Sequence, residues 1–268
     1  MTRVRPEEAE WFETNRAAWN AWTPLHARSA FYDVDGFLAG RCSLNAIELE
    51  LVGNVAGASL LHLQCHFGQD TLSWARRGAR VTGVDFSEVA IAEARRLEDT
   101  LRLGARFVVC NVYDTLAHVE ERFDVVFTSY GTIGWLPDLE RWADVVAGAL
   151  KPGGRFHLVE FHPALWMLDN DGQTVRHPYH NVAPIEEIAE GSYADRNAAV
   201  RVREVGWNHA LSEVFGVLLR RGLTVARFDE YPYAPYSCVP DAVRGIDGMW
   251  RIRGEEKVPL VYALTMTR

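Results

Sequence analysis

Asp85 closes the β-rich run ARVTGV, which follows a second apolar run, SLLHLQ, a compact loop, CHFGQD, and the segment TLSWARRG. A carboxylate at the end of the second strand of such a unit is placed to accept both hydroxyls of a ribose. Gln64, His66 and Gly68 in the loop add hydrogen-bonding groups and one point of close backbone approach. This is chemistry for holding a nucleoside, and it requires a strand–loop–helix–strand unit. SLLHLQ has the length of a short buried strand. TLSWARRG repeats Leu72, Trp74 and Ala75 at helical spacing and stops at Gly78.

The loop argues against a dinucleotide and hence against a nicotinamide oxidoreductase. A pyrophosphate needs bare backbone at a G-x-G-x-x-G turn, and only Gly68 remains a glycine among the corresponding positions Gln64, His66 and Gly68. No G-x-x-x-x-G-K-[ST] occurs either. A nucleoside cofactor without phosphate, bound over the loop, is the easier fit, and S-adenosylmethionine is the candidate.

Five segments then carry a resemblance. HLQCHFG at 62–68 resembles motif I, [DE]-x-G-x-G-x-G, of the class I S-adenosylmethionine-dependent methyltransferases, in a variant like one seen in a bacterial subgroup. VTGVDFS at 81–87 is similar to the ribose-binding strand, CNVYD at 110–114 to the adenine-binding segment and FDVVFTSYGTIGWLPD at 123–138 to the strand-four segment. KPGG at 151–154 resembles the turn before strand five. The resemblance covers about residues 58–162. It implies an α/β, Rossmann-like, doubly wound seven-stranded sheet, mostly parallel with a C-terminal antiparallel hairpin. Three positions depart from motif I: His62 replaces the acid, and Gln64 and His66 replace glycines.

Cofactor contacts are expected from Gln64, His66, Gly68, Asp85, Phe86, Asn111, Val112, Ser129 and Trp22. Gln64 either donates to the methionine carboxylate or bonds loop backbone. His66 lies either near the sulfonium or in a satisfied loop. Gly68 admits the cofactor or close helix packing, and Phe86 walls the adenosine or packs in the core. Asn111 offers an acceptor to the adenine amino group. A sulfonium favours aromatic faces, for which Tyr130, Trp135, Trp19 and Trp22 are candidates. Methyl transfer demands alignment of nucleophile, methyl and sulfur, so the ends of strands four and five matter. Tyr130, Glu160 and His162 are the catalytic candidates there. His162 in EFHP is the best-placed base, with Glu160 and His209 behind it. RHPYHN at 176–181 brings His177, Tyr179 and His180 to a possible substrate lid. No metal ligation is expected, since His62 and His66 fall on strand and loop rather than on one helical face.

A chain of 268 residues accommodates one large α/β domain with decoration. The formal charge of −8 disfavours a nucleic-acid partner, and RRGAR and RVREV read as solvated faces. Cys42, Cys65, Cys110 and Cys238 show no zinc or C-x-x-C spacing, so reduced thiols and a cytoplasmic location are expected. No apolar run reaches membrane-spanning length and no signal peptide is evident. Residues 1–57 read as an N-terminal helical cover packed over the cofactor and 58–268 as the methyltransferase core. Residues 163–205, with Pro163, Pro178 and Pro184 and little periodicity, read as an irregular substrate-side insertion. The expected reaction is methyl transfer to an O or N atom of a small molecule. Alternatives are a C-methyltransferase or a non-catalytic S-adenosylmethionine-binding protein. Oligomeric state is not legible.

Overall fold

A computed structural model describes residues 6–169, 174–180, 183–239, 242–252 and 258–268. The N-terminal zone holds α1 (Pro6–His26), α2 (Val34–Leu38) and α3 (Ala46–Val52). The alternating core runs β1 (Ser59–Leu63), α4 (Gln69–Arg76), β2 (Arg80–Asp85), α5 (Glu88–Leu101), β3 (Arg106–Val109), α6 (Thr115–His118), β4 (Phe123–Ser129), α7 (Leu139–Ala149) and β5 (Leu150–Phe161). After it come β6 (Ile185–Glu190), β7 (Arg201–Gly206), α8 (Leu211–Arg220), β8 (Thr224–Tyr231), β9 (Ala242–Arg244), β10 (Trp250–Ile252) and β11 (Val261–Thr267).

Seven strands form one sheet in the order β3-β2-β1-β4-β5-β11-β8. The pairs from β3 to β5 are parallel, and β11 runs antiparallel to both β5 and β8. This is the expected doubly wound sheet. Its antiparallel C-terminal pair is present, but no tight turn joins it, because β9 and β10 form a small hairpin of their own between β8 and β11. The chain leaves β1 in one direction towards β3 and resumes on its other side at β4. The crevice at the ends of β1 and β4 is therefore the topological switch point where such sheets bind ligands.

Helix α7 shows how the core forms. Asp138 caps its start by accepting from Arg141 N–H, and Leu139, Trp142, Ala143 and Val146 then fall on one face at helical spacing. That face meets Leu158 and Phe156 of the sheet, and Trp142 is fully buried. Burying one such large apolar side chain stabilises by about 1.5–3 kcal/mol. On the opposite side, Leu72 of α4 and Ile91, Ala94 and Leu97 of α5 bury against Phe107 of β3.

KPGG does not end before β5 begins. The strand runs from Leu150 and absorbs the turn as a bulge, with Gly153 at φ 76°. Residues 163–205 depart further from expectation, since β6 and β7 pair there as an antiparallel ribbon, Ile185 opposite Gly206 and Glu190 opposite Arg201. RVREV, read as a solvated face, is β7. The ribbon is half solvated and heavily charged, so its alternation carries few apolar residues to signal a strand. It is anchored by Asn15 of α1, whose Nδ2 donates to Val205 O at 2.8 Å while its Oδ1 accepts from Val205 N–H at 2.9 Å. Among the described residues, no helix is long and apolar enough to cross a membrane.

Candidate active site

A cavity of about 1050 Å³ opens over the ends of β1, β2, β4 and β5, bounded also by Trp19 of α1, Tyr193 of the β6–β7 connection and Tyr236. Pockets for one small molecule occupy about 300–1,000 Å³. This cavity is large enough for a nucleoside cofactor and a second, smaller molecule together.

The loop from β1 to α4 forms one wall. Gln64, His66 and Gly68 take φ values of 54°, 51° and 78°. All three positions of the motif I glycines are therefore left-handed, which side-chain-bearing residues adopt at a cost of about 1–3 kcal/mol each. Hydrogen bonds compensate. Gln64 Nε2 donates to Thr132 O at 2.8 Å, and His66 N–H donates to Asp85 Oδ2 at 2.8 Å. Asp85 Oδ1 accepts from Ser87 N–H at 2.9 Å. Gly68 is required by packing as well as by φ, because a Cβ there would come within 2.6 Å of the Phe107 ring. His62, at the acid position, accepts from or donates to Thr71 Oγ1 through Nδ1 at 2.8 Å and is buried behind the loop.

Asp85, Phe86, Asn111, Val112 and Ser129 all line the cavity with Gln64, His66 and Gly68. Burial pushes the Asp85 carboxyl up to about 6, against the opposing pull of backbone N–H groups from Ser87, His66 and Phe86. Asn111 Oδ1 accepts from Tyr113 N–H at 3.1 Å, capping its own turn, so its acceptor is shared between the fold and any ligand. Two polar atoms of this wall, Gln64 Oε1 and His66 Nδ1, are buried without a hydrogen-bond partner. They suit the polar end of an amino-acid-bearing nucleoside, and the donor and acceptor set of the wall fits S-adenosylmethionine.

Other expected residues lie elsewhere. Trp22 is one layer behind the wall, its indole N–H donating to Gly191 O at 3.0 Å, and Trp19 is the α1 tryptophan that lines the cavity. Trp19 packs edge-on against His66 at 5.1 Å and Trp135 at 5.5 Å. His162 does not face the cavity. Its Nε2 donates to Glu230 Oε1 at 2.8 Å and its Nδ1 accepts from Ala164 N–H at 3.0 Å, so neither nitrogen is free. Burial lowers its basicity despite Glu230. The reason is strand register: Glu160, Tyr262 and Glu230 are cross-strand partners, and the turn after Phe161 swings His162 towards β8.

Glu160 does line the cavity, but its carboxylate is committed to the turn after β4. It accepts from the N–H groups of Gly131, Thr132, Ile133 and Phe161 and from Thr132 Oγ1. Those bonds favour its ionised form, while complete burial raises its pKa. Both side chains are thus committed to partners within the protein, Glu160 to the turn after β4 and His162 to Glu230 and Ala164. Tyr130 lies at the cavity wall with φ 42°, and its hydroxyl donates to Glu48 Oε2 at 2.9 Å. His209 is held by Leu136 O at 2.8 Å and Glu213 at 3.0 Å. His177 lines the rim, Tyr179 Oη accepts from Leu211 N–H at 3.2 Å, and Asn181 lies outside the described residues.

The sequence reading passed over Glu48, His26, Tyr32 and Tyr193. His26 Nδ1 and His66 Nε2 are 3.0 Å apart, and Tyr32 and Tyr193 hydrogen-bond to each other beside them. Burial holds His26 down to about 4 and His66 well below the usual imidazole range, so both rest neutral. Only the unusual His at a motif I glycine position hinted that another element must pack there. Among the described residues, no group of three or more His, Cys, Asp or Glu side chains is arranged to hold a metal ion.

Residues 60–154 match a family model described as a methyltransferase domain. A ubiquinone biosynthesis O-methyltransferase of Xanthomonas euvesicatoria is 33% identical over 133 residues, covering 48% of this chain and 54% of that protein. An uncharacterized methyltransferase of Synechocystis is 31% identical over 132 residues, covering 48% and 60%. The chain thus spans about half the length of the curated relatives it matches. Among solved structures, an S-adenosylmethionine-dependent methyltransferase from Mesorhizobium loti has a TM-score of 0.54 at 20% identity, covering 86% of this chain and all of that one. The glycopeptide N-methyltransferase MtfA, complexed with S-adenosylmethionine, has 0.52 at 17% identity, covering 82% and 90%. These last two share the fold. With the motif segments in order on a doubly wound sheet, residues 60–154 form a methyltransferase domain, on a fold similar to that of the solved S-adenosylmethionine-dependent methyltransferases.

Proposed function

We propose that this protein transfers the methyl group of S-adenosylmethionine to an oxygen or nitrogen atom of a small molecule. The observation that carries the reading is the wall formed by the β1–α4 loop. Its three left-handed positions and the Asp85 carboxylate face a single cavity with room left over for an acceptor. Asp85 would accept from the ribose hydroxyls, Asn111 and Val112 would meet the adenine, and Gln64 and His66 would meet the amino-acid end. The bound cofactor supplies an electrophilic methyl group on a sulfonium. The protein's contribution is alignment and a water-poor cavity.

The acceptor side supports a small, flat molecule. Tyr130, Trp135, Phe161, Trp166, Trp207 and Tyr236 surround it. A cavity of about 1050 Å³ that also has to hold the cofactor suits a compact acceptor better than a duplex, and the net charge of −8 does not favour a polyanion. The relatives named as ubiquinone biosynthesis O-methyltransferases and the MtfA N-methyltransferase make hydroxyl and amine acceptors the first to try. Four free cysteines and the absence of a spanning helix among the described residues are compatible with the cytoplasm.

The test is calorimetry with S-adenosylmethionine and S-adenosylhomocysteine, followed by a panel of phenols and amines read by mass gain of one methyl. Binding plus a methylated product is the expected result. No binding of either nucleoside overturns the reading. Binding with no product from any phenol or amine overturns the oxygen or nitrogen acceptor and leaves a carbon acceptor or a non-catalytic cofactor-binding protein.

A further inference from the structure

Tyr130 is a bulky residue in the left-handed region, and Gly131 beside it has φ 69°. A tyrosine in that conformation is an outlier that persists only where its surroundings impose it. Two groups do so here. Glu160 gathers the N–H groups of the following turn, and Tyr130 N–H donates to Val159 O at 2.7 Å. The result turns the phenol to the cavity wall, between Phe161 and Tyr236, with its hydroxyl on Glu48.

Glu48 comes from α3 and is wholly buried; it does not line the cavity itself, but its two side-chain partners, Tyr130 and Asn45, do. Its Oε1 accepts from Asn45 Nδ2 at 3.0 Å and from Asn45 N–H at 3.3 Å, leaving Oε2 to the phenol. Among the described residues, no lysine or arginine pairs with it. Asp70 on α4 is the charge that faces it, and Tyr236 faces Tyr130. β5 and β11, packed against α3, present Val159, Phe161, Val261 and Ala263, all uncharged. A buried carboxylate with a tyrosine hydroxyl as its link to a reaction cavity is an arrangement for receiving a proton.

We propose that Tyr130 and Glu48 form a two-residue relay that takes the proton from a hydroxyl or protonated-amine acceptor during methyl transfer. Tyr130 is the catalytic residue and Glu48 the positioning residue that acts through it. The acceptor O–H or N–H bond breaks and its proton goes to Tyr130 Oη. The proton already on Oη moves to Glu48 Oε2. The acceptor lone pair forms the new bond to the methyl carbon, whose bond to sulfur breaks with its electron pair left on sulfur. Tyr130 need not exist as a phenolate at rest, and burial keeps its hydroxyl protonated. Burial and Asp70 push Glu48 up to about 7, so it is ionised in an appreciable fraction at neutral pH and holds a proton well once it has received one. The proposal rests on the methyltransferase reading above.

The test uses the full chain, its Glu48→Gln and Tyr130→Phe variants and the double variant. An infrared pH titration of the protein without ligand, wild type minus Glu48→Gln, should show one carboxyl with a midpoint near 7. In Tyr130→Phe the midpoint should rise, because the carboxylate loses a donor. A Glu48 midpoint in the ordinary carboxylate range, or one unmoved by Tyr130→Phe, overturns the relay. With a hydroxyl acceptor, wild-type turnover should rise through about pH 7. Each variant should lose roughly 10²–10⁴-fold and the ascending limb, and the double variant should lose no more than either alone. Calorimetric affinity for S-adenosylmethionine should stay within about threefold of wild type. Full turnover in Tyr130→Phe, or additive losses, overturns the relay while leaving methyl transfer intact. A wild-type protein that binds no S-adenosylmethionine sinks the function itself, and the relay with it.

Discussion

The two walls of the cavity are built on different principles. Most of the wall assigned to the cofactor comes from one continuous stretch, β1 through the start of α5, with Asn111, Val112 and Ser129 added from beyond it. Most of its bonds are local: His66 to Asp85, Asp85 to Ser87, His62 to Thr71. The acceptor wall is assembled from distant pieces. Tyr130 meets Glu48, Trp22 meets Gly191, and Asn15 meets Val205 across 190 positions of chain. A single βαβ unit supplies most of the first wall. The second exists only when α1, α3, the β6–β7 ribbon and the β4 turn have all docked. One wall should therefore fail through lost ligand contacts, and the other through lost docking.

Glu160→Ala should break the comparison hardest. Four backbone N–H groups and a hydroxyl lose their acceptor at once, at about 1–3 kcal/mol for each donor left buried. Water entering the space recovers part of this, so chemical denaturation should report a loss of roughly 3–5 kcal/mol. A loss below about 1 kcal/mol would mean that the β4 turn stands without Glu160.

Asp85→Ala should act mainly on the ligand. Losing a charge-assisted acceptor costs about 1.5–3 kcal/mol, or about ten- to a hundred-fold in calorimetric affinity for S-adenosylmethionine. The melting temperature should also fall, because His66 and Ser87 N–H lose their partner. In the wild type, the ionised carboxylate is the form that accepts ribose hydroxyls. Affinity should therefore hold above about pH 6 and decline as pH falls through that value. Unchanged affinity in a folded variant removes Asp85 from the cofactor site.

Trp22→Phe sharpens the contrast at smaller scale. The variant loses the bond to Gly191 O, worth about 0.5–1.5 kcal/mol of stability. Cofactor affinity should not change, since Trp19 rather than Trp22 lines the cavity. A tenfold drop in affinity would return Trp22 to the cofactor wall. Gln64→Gly is the mildest change. Glycine relieves the left-handed backbone by about 1 kcal/mol and forfeits a bond to Thr132 O of similar worth. Stability should move by less than about 1 kcal/mol, and a loss of affinity then reports the Gln64 side chain as a cofactor contact.

The core fold was legible because its signals are periodic and local. Leu72, Trp74 and Ala75 announce α4, and Leu139, Trp142, Ala143 and Val146 announce α7. The ribbon was not legible. Glu186, Glu187, Arg201 and Arg203 occupy strand positions open to water, so no apolar alternation marks them. Within the site, Asp85 and Gly68 could be placed from spacing, whereas Trp22 was indistinguishable from Trp19. The two share α1, and only the packing of Trp135 and Gly191 decides which one meets the cavity.

The sequence alone determined the strand–loop–helix–strand unit and the carboxylate that closes β2. These follow from apolar runs, helical spacing and turn residues acting over a few positions, while the doubly wound sheet was implied by the resemblance of five segments to a known family. Tertiary structure alone decided that His162 serves Glu230, that Glu160 serves the β4 turn, and that Tyr130 is tied to Glu48. A side chain's partner across the fold depends on strand register and helix docking, and no residue type encodes either. EFHP reads as a base after a strand, but the direction in which its imidazole points is set where β5 leaves β11.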